Sequence, residues 1–199
     1  MGGKRRQPEE RKAQILQAAK ESFRMHGLQA TTVDAIAMEA GVSVGLLYRY
    51  FKSKSEMVQA IIAEDVQLQM GQIERAVGDG STDLAELPRL MIKQLADESQ
   101  NRDQFALMLE ITAEVARNAP LREFVRRKRG EVREALAAKF ESKGLDRAKA
   151  HELIEQVERA SAIATGVALD ALIYSDSVRT SSKNLERIVE AALFSVERR

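Results

Sequence analysis

Thr31-Thr32-Val33-Asp34-Ala35-Ile36-Ala37-Met38-Glu39-Ala40-Gly41-Val42-Ser43-Val44-Gly45-Leu46-Leu47-Tyr48-Arg49-Tyr50-Phe51-Lys52-Ser53-Lys54 reads as two short helices joined by a tight turn. Thr31 is placed to N-cap the first helix, and Asp34 falls in its first turn, near the exposed amides and the positive end of the helix dipole. Ile36, Ala37 and Ala40 share one face, with Ala37 small where a second helix must cross close by. Gly41 supplies the positive φ of a tight turn. Val42 plugs the gap between the helices and Ser43 caps the second one. Leu47 returns to the shared core, which leaves Val44, Gly45, Tyr48 and Tyr50 facing outward. This spacing is that of a helix-turn-helix, whose second helix is shaped to enter a DNA major groove.

The run Leu47-Tyr48-Arg49-Tyr50-Phe51, followed by Lys52-Ser53-Lys54-Ser55-Glu56, resembles the recognition helix and following linker of the TetR family of bacterial transcriptional regulators. The Thr-Thr pair and the Ala-Gly-Val turn stand at matching spacing, so the resemblance covers roughly residues 9–60 as several motifs in order. It implies that Tyr48, Tyr50 and Lys54 stand at phosphate-contacting positions, and that Thr32 and Val33 lie near the DNA. Base readout falls to Ser43, Val44, Gly45 and Leu46, whose small or apolar side chains favour thymine methyls over bidentate hydrogen bonds. Family members often carry a larger polar residue where Val44 or Leu46 stands here.

Composition agrees with an all-helical protein. The 199 residues include 11 glycines and 3 prolines but no cysteine, and strand-like alternation is hard to find. Without cysteine there is no disulfide framework, thiolate zinc finger or cysteine nucleophile, and a reducing, cytoplasmic setting is expected. Net charge is only +1, but residues 1–54 hold ten Lys/Arg against five Asp/Glu, while the remainder holds 21 against 25. A basic end on a mildly acidic body suits a DNA reader with a separate second function. Met1 to Arg6 has no apolar run behind it, so no secretory signal is expected. The longest apolar stretch, Ala160 to Tyr174, is interrupted by Ser161, Thr165 and Asp170 and is too short to span a bilayer, so no membrane partner is expected.

Along the chain, residues 1–8 are expected to be disordered without DNA. Lys4, Arg5 and Arg6 read equally well as a solubilising tail or a minor-groove arm. Ile15, Leu16, Ala19 and Phe23 stripe a first helix from Glu9 to His26, with Gly27 as its C-cap. Ser53 caps a long fourth helix to about Val77, and Gly78-Asp79-Gly80-Ser81 breaks it. Further helices are expected over Leu84 to Ser99, Gln104 to Ala116, Leu121 to Phe140, Arg147 to Tyr174 and Leu185 to Val196. That gives about nine, the number typical of the family. The domains expected are 1–53, an N-terminal arm and three-helix DNA-binding domain, and 54–199, a ligand-binding and dimerisation domain.

Several clusters are better explained blandly. Arg126-Arg127-Lys128-Arg129 has Glu123, Glu131 and Glu134 at helical spacing and reads as a solvated face rather than a second nucleic-acid patch. His151 has only Glu152 and Glu155 near it, too common a pattern on a surface helix to indicate a metal site. No nucleophile triad, phosphate loop or dinucleotide fingerprint occurs, so neither an enzyme nor a cofactor is expected.

Gln104 to Ala116 is apolar on nearly every side and is expected to be central. Phe105, Met108 and Leu109, with Met91, Phe124 and Thr165, are candidates to line a ligand cavity, with Glu110 the lone polar group, favouring a cationic ligand if it faces inward. Glu114, with Arg117-Asn118-Ala119-Pro120, resembles a helix-end feature in part of the family, which implies a structural role. Apolar residues on all sides of Ala160 to Ile173, and the stripe Leu185, Ile188, Val189 and Ala192, favour a homodimer through the last two helices. The resemblance implies a one-component regulator, a repressor that binds a palindromic double-stranded DNA operator and leaves it when a small apolar or amphipathic inducer binds. The rival is a ligand-independent DNA-binding regulator acting through a protein partner, which no small molecule would release from DNA.

Overall fold

The computed structural model describes residues 3–78, 86–90, 93 and 102–173. Among these there is no strand, and the longer helices are α1 (Gly3–His26), α2 (Val33–Glu39), α3 (Val44–Tyr50), α4 (Lys54–Gly78), α5 (Arg102–Arg117), α6 (Ala119–Ser142) and α7 (Arg147–Ile173). The all-helical expectation holds. Met91 and the expected last helix, Leu185 to Val196, lie outside the described residues, as do the break at 79–81 and most of the helix expected from Leu84.

The expected disorder of residues 1–8 gives way to helix, since α1 begins at Gly3, ahead of Pro8. Lys4, Arg5, Arg6 and Gln7 are good helix formers, and a proline this close to the N-terminus removes few of the helix's own hydrogen bonds.

The chain divides into two compact units. The first comprises Met1–Gln67 and Ala106–Lys128, which is not the boundary at 53/54 expected from the motif alone. Its core explains why. Ile15, Leu16, Ala19 and Phe23 of α1 pack with Ile36 and Ala37 of α2, Leu47 of α3, and Met57, Val58 and Ile61 of α4. Leu121 of α6 is buried in the same cluster, and Leu107, Ile111 and Val115 of α5 pack against it. One longer and two seven-residue helices enclose too little apolar surface to hold themselves together, and α4, α5 and α6 supply the remainder. Lys20 of α1 and Glu64 of α4 add an ion pair at 2.6 Å.

The second unit, Leu68–Phe105 and Arg129–Arg199, has its own core of Ile73, Leu87, Leu136, Ala137, Phe140, Ala150, Leu153 and Ile154. Gly144, at φ +96°, ends α6. Asp146 then starts α7, and the Lys149 amide that its carboxylate accepts at 2.9 Å holds the Asp146 carboxyl below the usual range. Arg129 and Arg133 both reach Glu158, each at 2.9 Å, so this end of the basic run spends its charge within the unit.

α5 is less central than its composition predicts. Phe105 is buried, but Leu107, Met108, Leu109 and Ile111 are only half-buried, and Glu110 is exposed. Leu121, fully buried at 0% exposure, tests the wider extent of the first core. Leu121→Ala should cost about 3 kcal/mol, measured by urea unfolding, and should broaden the NMR signals of α1 side chains. A change confined to the second unit would contradict this packing.

Candidate nucleic-acid interface

The α2–α3 corner is built from local caps. Thr32, not Thr31, is the N-cap of α2: its backbone is extended (φ −97°, ψ 159°) and its Oγ1 accepts the Ala35 amide at 3.2 Å. Thr31 is buried, and its Oγ1 lies 2.7 Å from Gly27 O and 3.0 Å from Ser22 O, which fixes the chain entering α2. Gly41, at φ +62°, ends α2 in a Schellman arrangement, with the Val42 amide donating to Ala37 O at 2.9 Å and the Gly41 amide to Met38 O at 3.0 Å. Ser43 Oγ then accepts the Leu46 amide at 3.2 Å and starts α3. Gln14 of α1 ties the corner down by donating to Ala40 O at 2.8 Å.

This construction leaves one side of α3 open. Ser43, Gly45, Tyr48 and Arg49 are exposed, Tyr48 at 44%, and a Cβ added at Gly45 would meet nothing within 4 Å. Such a surface admits the close approach of another backbone or of a groove wall. Val44 and Tyr50, expected to face outward, are half-buried against the first core, and Leu46 is half-buried too. Thr32 is exposed at the start of α2 and Val33 half-buried beside it. Arg49 was not singled out by spacing. Its place on the open side of α3, between two tyrosines, is the signal that identifies it.

Lys54 is placed differently from the phosphate contact its motif position implies. Its Nζ donates to Leu28 O at 2.6 Å, Thr31 O at 3.1 Å and Gln29 O at 3.3 Å. An ammonium has three donors, so all are committed to the turn before α2. Ser53, as expected, caps α4: its Oγ accepts the Glu56 amide at 3.1 Å, and the Glu56 carboxylate reaches back to the Lys52 amide.

The residues expected to line a ligand cavity separate in the same way. Glu110 accepts a hydrogen bond from the Leu28 amide, so its carboxylate serves the turn before α2. Glu114 accepts from Gln29 Nε2 at 2.7 Å and from Asn118 Nδ2 at 3.3 Å, and lies 3.3 Å from the Arg117 guanidinium. Phe124 packs against the first core, with the Arg127 guanidinium 5.5 Å from its ring centroid. Met108 and Leu109 are half-buried, Phe105 is buried, and half-buried Thr165 donates to Ser161 O of its own helix at 2.8 Å.

The sequence pattern of the bacterial regulatory proteins of the tetR family matches residues 15–61, from α1 into α4. The transcriptional repressor KstR2 of Mycolicibacterium smegmatis is 35% identical over 86 residues, 43% of this chain and 42% of KstR2. The chain thus spans less than half the length of KstR2, and 64% of that of the regulator UidR of Escherichia coli K12, at 28% identity over 65% of this chain. Over almost the whole chain, the fold matches that of Salmonella enterica GusR, with TM-score 0.68 and 25% identity over 94% of this chain and 96% of GusR. It also matches FadR of Bacillus subtilis in complex with stearoyl-CoA, with TM-score 0.66 and 18% identity over 92% and 97% of the two chains.

With all three Lys54 donors on carbonyls, Lys54→Met should lower stability by about 2 kcal/mol through the orphaned acceptors. The salt dependence of binding to any duplex should stay unchanged. A fall of about one in the slope of log K against log salt would instead put this ammonium on a phosphate.

Proposed function

We propose that this chain, a member of the TetR family of bacterial regulatory proteins, is a transcriptional repressor that reads a palindromic operator as a homodimer. One observation carries this: α3 is capped, anchored by fully buried Leu47, and open along Ser43, Gly45, Tyr48 and Arg49. It belongs to residues 1–54, where basic residues outnumber acidic ones ten to five. A short helix held rigidly by its caps, with an uncluttered face, is what insertion into a major groove requires.

The roles divide by chemistry. Tyr48 and Tyr50 offer phenolic hydroxyls to phosphate oxygens, and Arg49 offers a guanidinium. Thr32 and Val33 meet the backbone from the start of α2. Ser43, Val44, Gly45 and Leu46 face base edges, where a glycine and short side chains let α3 approach thymine methyls closely. Phosphate contacts set register on the duplex, and base-edge contacts set sequence.

A homodimer supplies the second recognition helix. The described part of α7 supports it, since Ile163 and Val167 are only half-buried and Ile173 is 61% exposed, an apolar surface that calls for cover. Release by a small apolar or amphipathic ligand rests on likeness of fold, because FadR, which shares it, was solved with stearoyl-CoA. The carboxylate of Glu110 is engaged by the Leu28 amide and gives no reason to favour a cationic ligand. No enzymatic step is required of any residue in this scheme.

In vitro selection from a random duplex library with the full chain should enrich a palindrome whose half-sites lie about one helical turn, ~34–36 Å, apart. Tyr48→Phe and Tyr50→Phe should weaken binding to the selected and to scrambled duplexes alike, by about threefold to tenfold each. Val44→Ala should instead change preference among half-site variants. Failure to enrich any duplex, or a monomer by sedimentation at micromolar concentration in its presence, would refute the proposal.

A further inference from the structure

Among the described residues, three helices end at a glycine with positive φ, and one of them is finished differently. At Gly41 the following amide, Val42 N, donates to Ala37 O at 2.9 Å, and at Gly144 the following amide, Leu145 N, donates to Phe140 O at 3.2 Å. Both are Schellman ends that satisfy themselves from within the helix. At Gly27, with φ +79°, only the glycine's own amide turns back, to Phe23 O at 2.9 Å. The next amide, Leu28 N, leaves the helix and donates to Oε2 of Glu110, 82 residues further along the chain.

The rest of this turn is also held from outside. Lys54 takes the carbonyls of Leu28, Gln29 and Thr31, and Glu114, one helical turn after Glu110, accepts from the Gln29 side chain at 2.7 Å. The charges suit their partners: an ammonium on three carbonyl oxygens, and a carboxylate on an amide. Leu28 itself is buried, so an unmet amide there has little access to water. Gly27 also leaves the room the carboxylate occupies, because a Cβ at this position would stand 3.0 Å from Glu110 Oε1.

We propose that Glu110 is a positioning residue for DNA binding: it fixes the α1–α2 turn by holding the Leu28 amide while Lys54 holds the carbonyls of the same turn, and so sets the direction in which α2 and α3 leave α1. Thr32, the N-cap of α2, follows Thr31 directly, and Lys54 already holds the Thr31 carbonyl. Without Glu110 the Lys54 contacts remain but the Leu28 amide is unpinned, so α2 starts from a wider spread of orientations and only a fraction of molecules present α3 correctly. Apparent affinity falls by that fraction. Glu110 does this without touching DNA. The inference rests on the DNA-binding reading and adds to it a residue outside the helix-turn-helix.

The test uses the full chain and the duplex selected by the wild-type protein. Glu110→Ala should bind it roughly tenfold more weakly with an unchanged salt slope, and exchange of the Leu28 amide should quicken by about the same factor. Glu110→Gln keeps an acceptor oxygen and should recover most of both. If the alanine variant proves too unstable to assay, Glu110→Asp, which keeps the charge but draws the carboxylate back by one methylene from the Leu28 amide, should show the same paired loss to a smaller degree. The inference is overturned if Glu110→Ala binds within twofold of wild type, if Leu28 exchange is unchanged, or if the glutamine variant is as weak as the alanine one. A selection that enriches no duplex would refute the DNA-binding reading itself. An enriched duplex bound equally by wild type and Glu110→Ala would refute only the role of Glu110.

Discussion

The backbone between α1 and α2 carries polar groups that neither helix can satisfy, and much of the first unit is arranged to meet them. Phe23 O of α1 takes the Gly27 amide and Thr31 closes on Gly27 O, but Lys54 gathers three carbonyls and Glu110 takes the Leu28 amide. Buried backbone groups left unpaired cost about as much as a lost hydrogen bond each. Beyond the Thr31 contact, a turn this short could not supply the partners itself. The demand for partners therefore brings α4 and α5 to the same five residues, and their apolar faces then close over α1.

What could be read from the sequence follows the range of each interaction. Gly41, Ser43, Ser53 and Gly27 were legible as caps because the groups they satisfy lie within four residues, and turn chemistry at that range is encoded locally. Thr31 and Thr32 show the limit. Two adjacent threonines are equally good caps on paper, and the choice falls to Thr32 because Thr31 is needed 2.7 Å from Gly27 O. Glu110 and Lys54 lay beyond such reading, since their partners stand 82 and 26 residues away. A lone carboxylate on an apolar helix looks the same in sequence whether it faces a ligand or a backbone amide.

The same limit governs the extent of the DNA-binding domain. The motif stops near Lys54, and a boundary placed there follows the residues that carry the pattern. Core membership follows instead from apolar surface that must be covered, and Leu107, Ile111, Val115 and Leu121 join that core with no motif to announce them. Their helices could be recognised by period, but periodicity names a face without naming what it packs on. It also overstated the burial of α5, because an apolar composition on all sides is compatible with a helix that is half-buried in a single chain.

These constraints explain why the open side of α3 can be so plain. Ser43, Gly45 and exposed Tyr48 make few contacts that would orient the helix, so its placement must come from behind. Leu47 anchors it in the core, the Val42 and Gly41 amides lock it to α2, and Gln14 pins the end of α2 to α1. The caps are short and local and Gln14 reaches 26 residues to Ala40, but the Gly27–Thr31 turn, where α2 leaves α1, is held from 82 residues away. An error in direction there would carry through α2 to α3 undiminished, since every later joint is rigid. Hydrogen bonds that reach 82 and 85 residues along the chain are thus placed at the joint where a small displacement would be most amplified. Charged side chains from α4 and α5 are suited to that joint because they bind backbone atoms and so constrain its path directly.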